Sequence, residues 1–281
     1  MLAPGMLWLL LFFLVPMLIL LRYALSEPTD RFSGKYELTF RFANFTDAIG
    51  DFGSQFLRSF AYAGIATVLC IVLGYPLAYF IATKGGRYKN LLLGLVVVPF
   101  FTSYLVRTIA WTTIMGDNGP LLAISDGLSL TGLLDALKIT TNGGMLQTQT
   151  AVIGGLTYNF LPFMVLPIYV SLEKIDLRLL DAAKDLYSTP RRAFWKVIFP
   201  LSLPGVFAGT LLTFIPASGD FVNAQFLGGP NQQMIGNVIQ NQFFKLNDFA
   251  TAAALSFVLM FIITVAVLVY ARLFGTDELS V

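Results

Sequence analysis

The sequence predicts an all-α membrane protein with six transmembrane helices, and three observations carry that expectation. Of 281 residues, 56% are hydrophobic and only 12% are charged, whereas soluble domains carry about 25% charged residues. The mean hydropathy is +0.74. Six segments, at 2–24, 57–82, 90–115, 147–171, 201–222 and 249–273, are each apolar enough to cross a bilayer, which takes about 20 residues. Helices are expected rather than open strands, because hydrocarbon offers no partner to an unpaired backbone amide. The chain 1–281 reads as one transmembrane domain.

The first apolar run, 2–24, lacks a basic leader and is followed by no small-x-small cleavage site, so it reads as a retained span and not as a signal peptide. The next spans are oriented by Lys and Arg in short loops, which favour the cytoplasmic side. Between spans 2 and 3 stand Lys84, Arg87 and Lys89. Between spans 4 and 5 stand Lys174, Arg178, Lys184, Arg191, Arg192 and Lys196. Both loops are expected to be cytoplasmic. The 116–146 loop sets Lys138 against Asp117, Asp126 and Asp135, and the 223–248 loop has only Lys245. Both are expected outside, and the mixed 25–56 loop joins them by alternation. Both termini are then cytoplasmic.

Composition also excludes functions. A soluble enzyme and a nucleic-acid-binding tail do not fit low charge with a formal net charge of +2. The chain has no His, which removes His-ligated metal sites and His-based catalysis, and the lone Cys70 cannot form an intrachain disulfide. Cys70, in mid-span, reads as a packing residue. Gly34-Lys35 is no phosphate loop, since Thr29 and Tyr36 stand where that motif needs Gly and Ser or Thr.

The segment between spans 4 and 5, 172–200, is the strongest signal. Ile175, Leu179, Ala182 and Leu186 share a helical face. Ser188-Thr189-Pro190 then stops that helix and starts another, with Thr189 as cap and Pro190 at the first helical position. A short second helix with Phe194, Val197 and Ile198 leads to Pro200, where span 5 begins. The segment resembles the EAA loop of ABC importer permeases. Asp181-Ala182-Ala183 matches E-A-A, Val197 stands at the Ile position, and Phe199-Pro200 stands at Leu-Pro. Tyr187 replaces the family's Gly, and Ser188-Thr189-Pro190 offers a turn in its place. The resemblance implies a type I importer fold and a coupling helix that docks on a separate ATPase subunit. It places Asp181, Ala182, Ala183, Tyr187, Ser188, Pro190, Arg191 and Pro200 at that contact.

Two further blocks are similar to spermidine/putrescine-type permeases. One is Ser103–Trp111 followed by Gly116-Asp-Asn-Gly119; the other comprises Ile215–Val222, Leu227–Pro230 and Met234-Ile-Gly236. This resemblance implies a polyamine importer of a prokaryotic inner membrane. Its implied partners are a second related permease, two ATP-binding subunits and an external binding protein. No cofactor is expected on this chain, and ATP and Mg would be bound by the ATPase.

A charge at the bilayer centre costs about 2.5–3.5 kcal/mol, so Arg107 and Asp220 call for a reason. Pro216 interrupts span 5 just before Asp220. A polyamine needs carboxylates, carbonyls and aromatic faces. Asp220, Asn159, Trp111, Tyr158, Phe160 and Phe163 are the candidates, with Pro162 as a second break. Arg107 would repel a cation. It either pairs with Asp220 or Asp117 at an external gate, or it snorkels away from the path. Gly74 and Gly154-Gly155 are expected to allow close helix approach. In the external loops, 116–146 offers a surface helix through Leu121, Leu128, Leu133, Leu134 and Leu137. Residues 234–244 offer a helix with Met234, Ile235, Val238 and Phe243 inward and Asn237, Gln240 and Asn241 outward.

Rival readings are an importer permease for sulfate, ferric iron or thiamine, in which Arg107 would meet an anion, and an ion-coupled secondary transporter, which needs more mid-membrane ionisable groups.

Overall fold

Proline shapes two of the long helices. The computed structural model describes residues 3–29, 36–117, 119–127, 140, 144–176, 178 and 189–274. Helix α1 runs through Ala3–Leu9, a π-helical turn at Leu10–Leu14, and Val15–Ala24. Helix α7 repeats the pattern through Pro190–Ala193, a π-helical turn at Phe194–Ile198, and Phe199–Ser218. Each widened turn comes just before a proline, Pro16 or Pro200, which lacks the N–H that would continue the ladder. The sequence predicts a separate short helix before Pro200. The π-turn instead absorbs the proline, so Pro190–Ser218 is one run of 29 residues.

Helix α2, Ala43–Lys84, has 42 residues and bends at Phe52, whose φ and ψ are −119° and 15°. The expected span 57–82 lies wholly within it. The short strands β1, Ser26–Pro28, and β2, Tyr36–Leu38, pair antiparallel ahead of α2. The expected third span is two helical limbs. Gly86–Phe101 contains α3, Lys89–Val97, and Tyr104–Ile114 forms α4; the limbs are bent by 95°. The break falls at Thr102 and Ser103, both with extended ψ, of 149° and 135°. Pro99 lies just before it. Helix α5 spans Pro120–Gly127, α6 Gln149–Glu173, α8 Val222–Leu227, α9 Ile235–Phe244 and α10 Phe249–Phe274.

The centre is a three-helix pack of α2, α6 and α7. Helix α6 is apolar all round, and 61% of its central window is buried, as a helix inside a bundle should be. Helix α1 is the opposite case: none of its apolar window is buried, and it touches the body mainly at its end, where Ala24 joins Ala253, Ala254 and Leu255 of α10 in one cluster. Near the far end of α6, Cys70, Tyr75, Ile81, Met164, Ile168 and Val206 form another cluster. There the Tyr75 hydroxyl and Ser202 Oγ lie 2.7 Å apart.

Small residues let the backbones meet. A Cβ on Gly205 of α7 would stand 2.6 Å from the Pro167 carbonyl oxygen and 2.9 Å from Ile168 Cα of α6. Gly205→Val should therefore push the two central helices apart and cost about 1–3 kcal/mol. The check is the thermal unfolding midpoint of the solubilised protein, and an unchanged midpoint contradicts the packing.

Candidate functional site

The buried polar groups gather where α7 ends. Helix α7 stops at Ser218, and the chain turns through Gly219-Asp220-Phe221 into α8. One carboxyl oxygen of Asp220, the residue before the N-cap Phe221, accepts the Asn223 N–H at 2.8 Å and so satisfies one first-turn amide of α8. The other accepts the hydroxyl of Tyr104 on α4. Asn223 Nδ2 donates to Tyr104 Oη at 2.6 Å and to Asp220 at 3.2 Å. Asn159 Nδ2 of α6 donates to Asn223 Oδ1 at 3.1 Å and reaches Thr108 Oγ1 at 3.4 Å. Asp220 is 8% exposed, Asn159 1% and Asn223 not at all. The network thus joins α4, α6 and the α7–α8 corner in a low-dielectric site, where each satisfied bond carries more than it would in water.

Backbone contact holds the corner from its other side. A Cβ on Gly236 would lie 2.5 Å from the Gly219 carbonyl oxygen. Asn237 Nδ2 donates to the Phe221 carbonyl at 2.7 Å, while Asn237 Oδ1 accepts the Met234 N–H. Asn237 is therefore buried, not outward as its position in the helix suggests, because it serves two backbone groups. Phe243 faces out, 37% exposed. The Ile215–Val222 and Met234–Gly236 blocks picked out from the sequence meet here, with Gly219, Asp220 and Gly236 as their contact points.

Arg107 does not pair with Asp220. Among the described residues the ion pairs are Arg41–Glu27, Arg41–Asp47 and Lys89–Glu173. The Arg107 guanidinium carbon sits 4.7 Å from the Phe100 ring centre and 5.7 Å from that of Tyr104. Trp111 and Tyr158 pack edge to face at 5.1 Å, and Tyr158 is partly open, at 36% exposure. Phe160 is buried, between Tyr104 and Phe163. Pro162 is buried within α6, and Pro216 is exposed within α7. Pro216 has no N–H to offer the Leu212 carbonyl. Leu212 lines a groove of about 800 Å³ between α6 and α7, which runs from Phe163 to Lys174 and Asp176.

The 172–200 segment is described at its two roots. At the first, Lys89 Nζ bonds Glu173 at 2.6 Å and lies 5.2 Å from the Tyr169 ring centre. At the second, Thr189 Oγ1 accepts the Arg192 N–H at 3.4 Å and Pro190 opens the helix. Arg191 follows on the exposed first turn, and Pro200 lies behind the π-turn. Asp181, Ala182, Ala183, Tyr187 and Ser188 lie outside the described residues, as do Leu179 and Leu186. In the 116–146 loop, α5 includes Leu121, whereas Leu128, Leu133, Leu134 and Leu137 lie outside the described residues.

Sequence reading missed the roles of Tyr104 and Asn223. The signal for Asn223 was present: Gly219-Asp220 after an apolar run reads as a helix stop followed by a cap. No local pattern marks Tyr104, whose partner Asp220 is 116 positions away.

The family described as binding-protein-dependent transport system inner membrane component matches residues 71–274. The chain is 37% identical over 266 residues to the spermidine/putrescine transport system permease protein PotB of Haemophilus influenzae, covering 94% of this chain and 90% of that one. Against PotB of Escherichia coli the identity is 36%, with 94% and 93% covered. The inner membrane ABC transporter permease protein YdcU of Escherichia coli is 32% identical over 227 residues, with 79% and 72% covered. In fold, the chain is similar to a bacterial ABC transporter involved in import of the acidic polysaccharide alginate. The TM-score is 0.71 at 18% identity, with 99% and 94% covered. The MetNI methionine ABC transporter in an inward-facing form gives a TM-score of 0.54 at 18% identity, with 79% and 95% covered.

Proposed function

The chain belongs to the family of binding-protein-dependent transport system inner membrane components, and on that premise we propose that it is the permease subunit through which spermidine and putrescine are imported. The observation that carries the substrate is the 37% identity, over nearly the whole chain, to a permease named for those two amines. The membrane-buried aromatic and amide side chains support it. An ammonium group stripped of water needs acceptors and ring faces in place of its hydration.

In this reading the 172–200 segment faces the cytoplasm and docks on one of two ATPase subunits, which bind ATP and Mg. Both chain termini are cytoplasmic. The α7–α8 corner faces outward, toward an external binding protein, and the path runs between this chain and a second, related permease. Closure of the ATPases pulls the 172–200 segment, and α6 and α7, rooted at its two ends, carry the motion across the membrane. Solute moves because its binding differs between the two end states. Asp220 fastens the outer gate through Tyr104 and Asn223, while Trp111 and Tyr158 offer ring faces to the path. Pro216 keeps the outer part of α7 deformable by leaving the Leu212 carbonyl without its usual donor.

The test is ATPase activity of the complex reconstituted in nanodiscs with its binding protein. Spermidine or putrescine should raise hydrolysis severalfold over the binding protein alone, and sulfate, ferric iron and thiamine should not. Stimulation by one of those three, with none by either amine, would move the chain to that substrate.

A further inference from the structure

Arg107 presents a problem that its surroundings answer. It lies within the bent span, its Nε is buried without a hydrogen-bond partner, and among the described residues no carboxylate stands within ion-pair distance of it. A partly buried guanidinium with no acid beside it draws on negative potential from other groups. Here that comes from rings. The 95° bend sets Phe100, before the break, and Tyr104, after it, around the guanidinium at 4.7 and 5.7 Å. Phe163 of α6 meets Phe100 edge to face at 4.8 Å. Phe160 lies 6.2 Å from Phe163 and 6.3 Å from Tyr104. Two rings, one on each limb of the bent span, thus hold the cation, and Phe160 and Phe163 of α6 pack behind them.

We propose that Phe100, Tyr104, Phe160 and Phe163 form a binding box for an ammonium group of a polyamine, and that Arg107 is a tethered cation that competes with that group for the box. Ring faces attract any cation of suitable size, and their hold on each is modest. A guanidinium held by rings, with no acid partner among the described residues, exchanges more readily than one locked in an ion pair. The box also has an exit. Phe163 stands at the head of the groove of about 800 Å³ that runs between α6 and α7 to Asp176. An amine that displaces Arg107 would enter the groove at its ring-lined end and leave where Lys174 and Asp176 line it together. The displaced guanidinium would add repulsion behind it and favour movement one way. The inference rests on the polyamine reading and adds to it where the cation binds and why an Arg stands beside a path for cations.

The experiment measures equilibrium binding of labelled putrescine to the purified permease–ATPase complex, without the binding protein, alongside putrescine uptake by proteoliposomes of the complete system. Arg107→Gln, which removes the competitor, should tighten binding by about fivefold to tenfold. Arg107→Lys, which retains a cation, should bind within about twofold of wild type on the same argument. Phe100→Leu should weaken binding, and in Phe100→Leu with Arg107→Gln most of the gain should vanish, since the two side chains share one contact. Phe163→Leu gives the same test of the box if the Arg107 variants fail to assemble. Wild type that imports putrescine, together with Arg107→Gln that binds it no more tightly, overturns the box and leaves the polyamine reading standing. Wild type that imports neither amine, but binds sulfate in a manner lost in Arg107→Gln, overturns both.

Discussion

Asp220→Ala is expected to destabilise the solubilised protein by about 3–5 kcal/mol and to abolish uptake. Three donors lose their acceptor at once: the Tyr104 hydroxyl, the Asn223 N–H and Asn223 Nδ2. Asn223 is buried and Tyr104 partly so, which leaves the Asn223 N–H and the Tyr104 hydroxyl short of an acceptor, while Asn223 Nδ2 keeps its bond to Tyr104 Oη. Asp220→Asn separates fastening from substrate contact. It keeps one acceptor oxygen and the shape of the side chain, so it should cost less, about 1–2 kcal/mol. Uptake should slow, while the apparent affinity for putrescine stays within about twofold, as expected when no direct charge contact is lost. A large loss of affinity at unchanged stability would instead make Asp220 a ligand of the amine. Thermal unfolding midpoints and uptake kinetics on the same preparations decide between these outcomes.

The second large effect concerns the 172–200 segment. Asp181→Lys combined with Ala182→Asp should abolish ATP-coupled uptake while leaving the membrane body folded. The change inverts one charge and puts another where a small side chain is expected to enter the partner's groove, so docking should lose both electrostatic and steric fit. Co-purification of the ATPase and ATP-dependent uptake are the two readouts. Intact assembly with intact uptake would remove these residues from the coupling contact. The folded roots argue that the lesion stays local, because the Lys89–Glu173 bond and the Thr189 cap lie outside the altered positions.

Hydropathy made most of the membrane body legible, because each span is a long apolar run and the bilayer sets one length scale. It was blind to the break in the third span. Val97–Phe101 is as apolar as its neighbours, and a hydropathy window does not register that Pro99 followed by Thr102-Ser103 ends one helix and starts another. The outer stretch of α2, from Ala43, escaped for the converse reason. Asp47, Asp51, Ser54 and Gln55 make it polar, although it is helical and joins the span at the kink at Phe52. Pro200 was read as a boundary, and a π-turn carries the helix through it. At the site, Asp220 and Arg107 were legible because charge is rare in these helices. Their partners were not. Tyr104 and Asn159 reach the corner only through tertiary packing across more than 60 positions, and no periodicity encodes such a contact.

The most direct measurement is uptake of labelled putrescine into proteoliposomes holding this chain, its partner permease and the ATPase, with ATP inside and the binding protein outside. The account expects accumulation against a gradient that stops when either ATP or the binding protein is withheld. Accumulation that continues without ATP and is driven by an imposed ion gradient would contradict it.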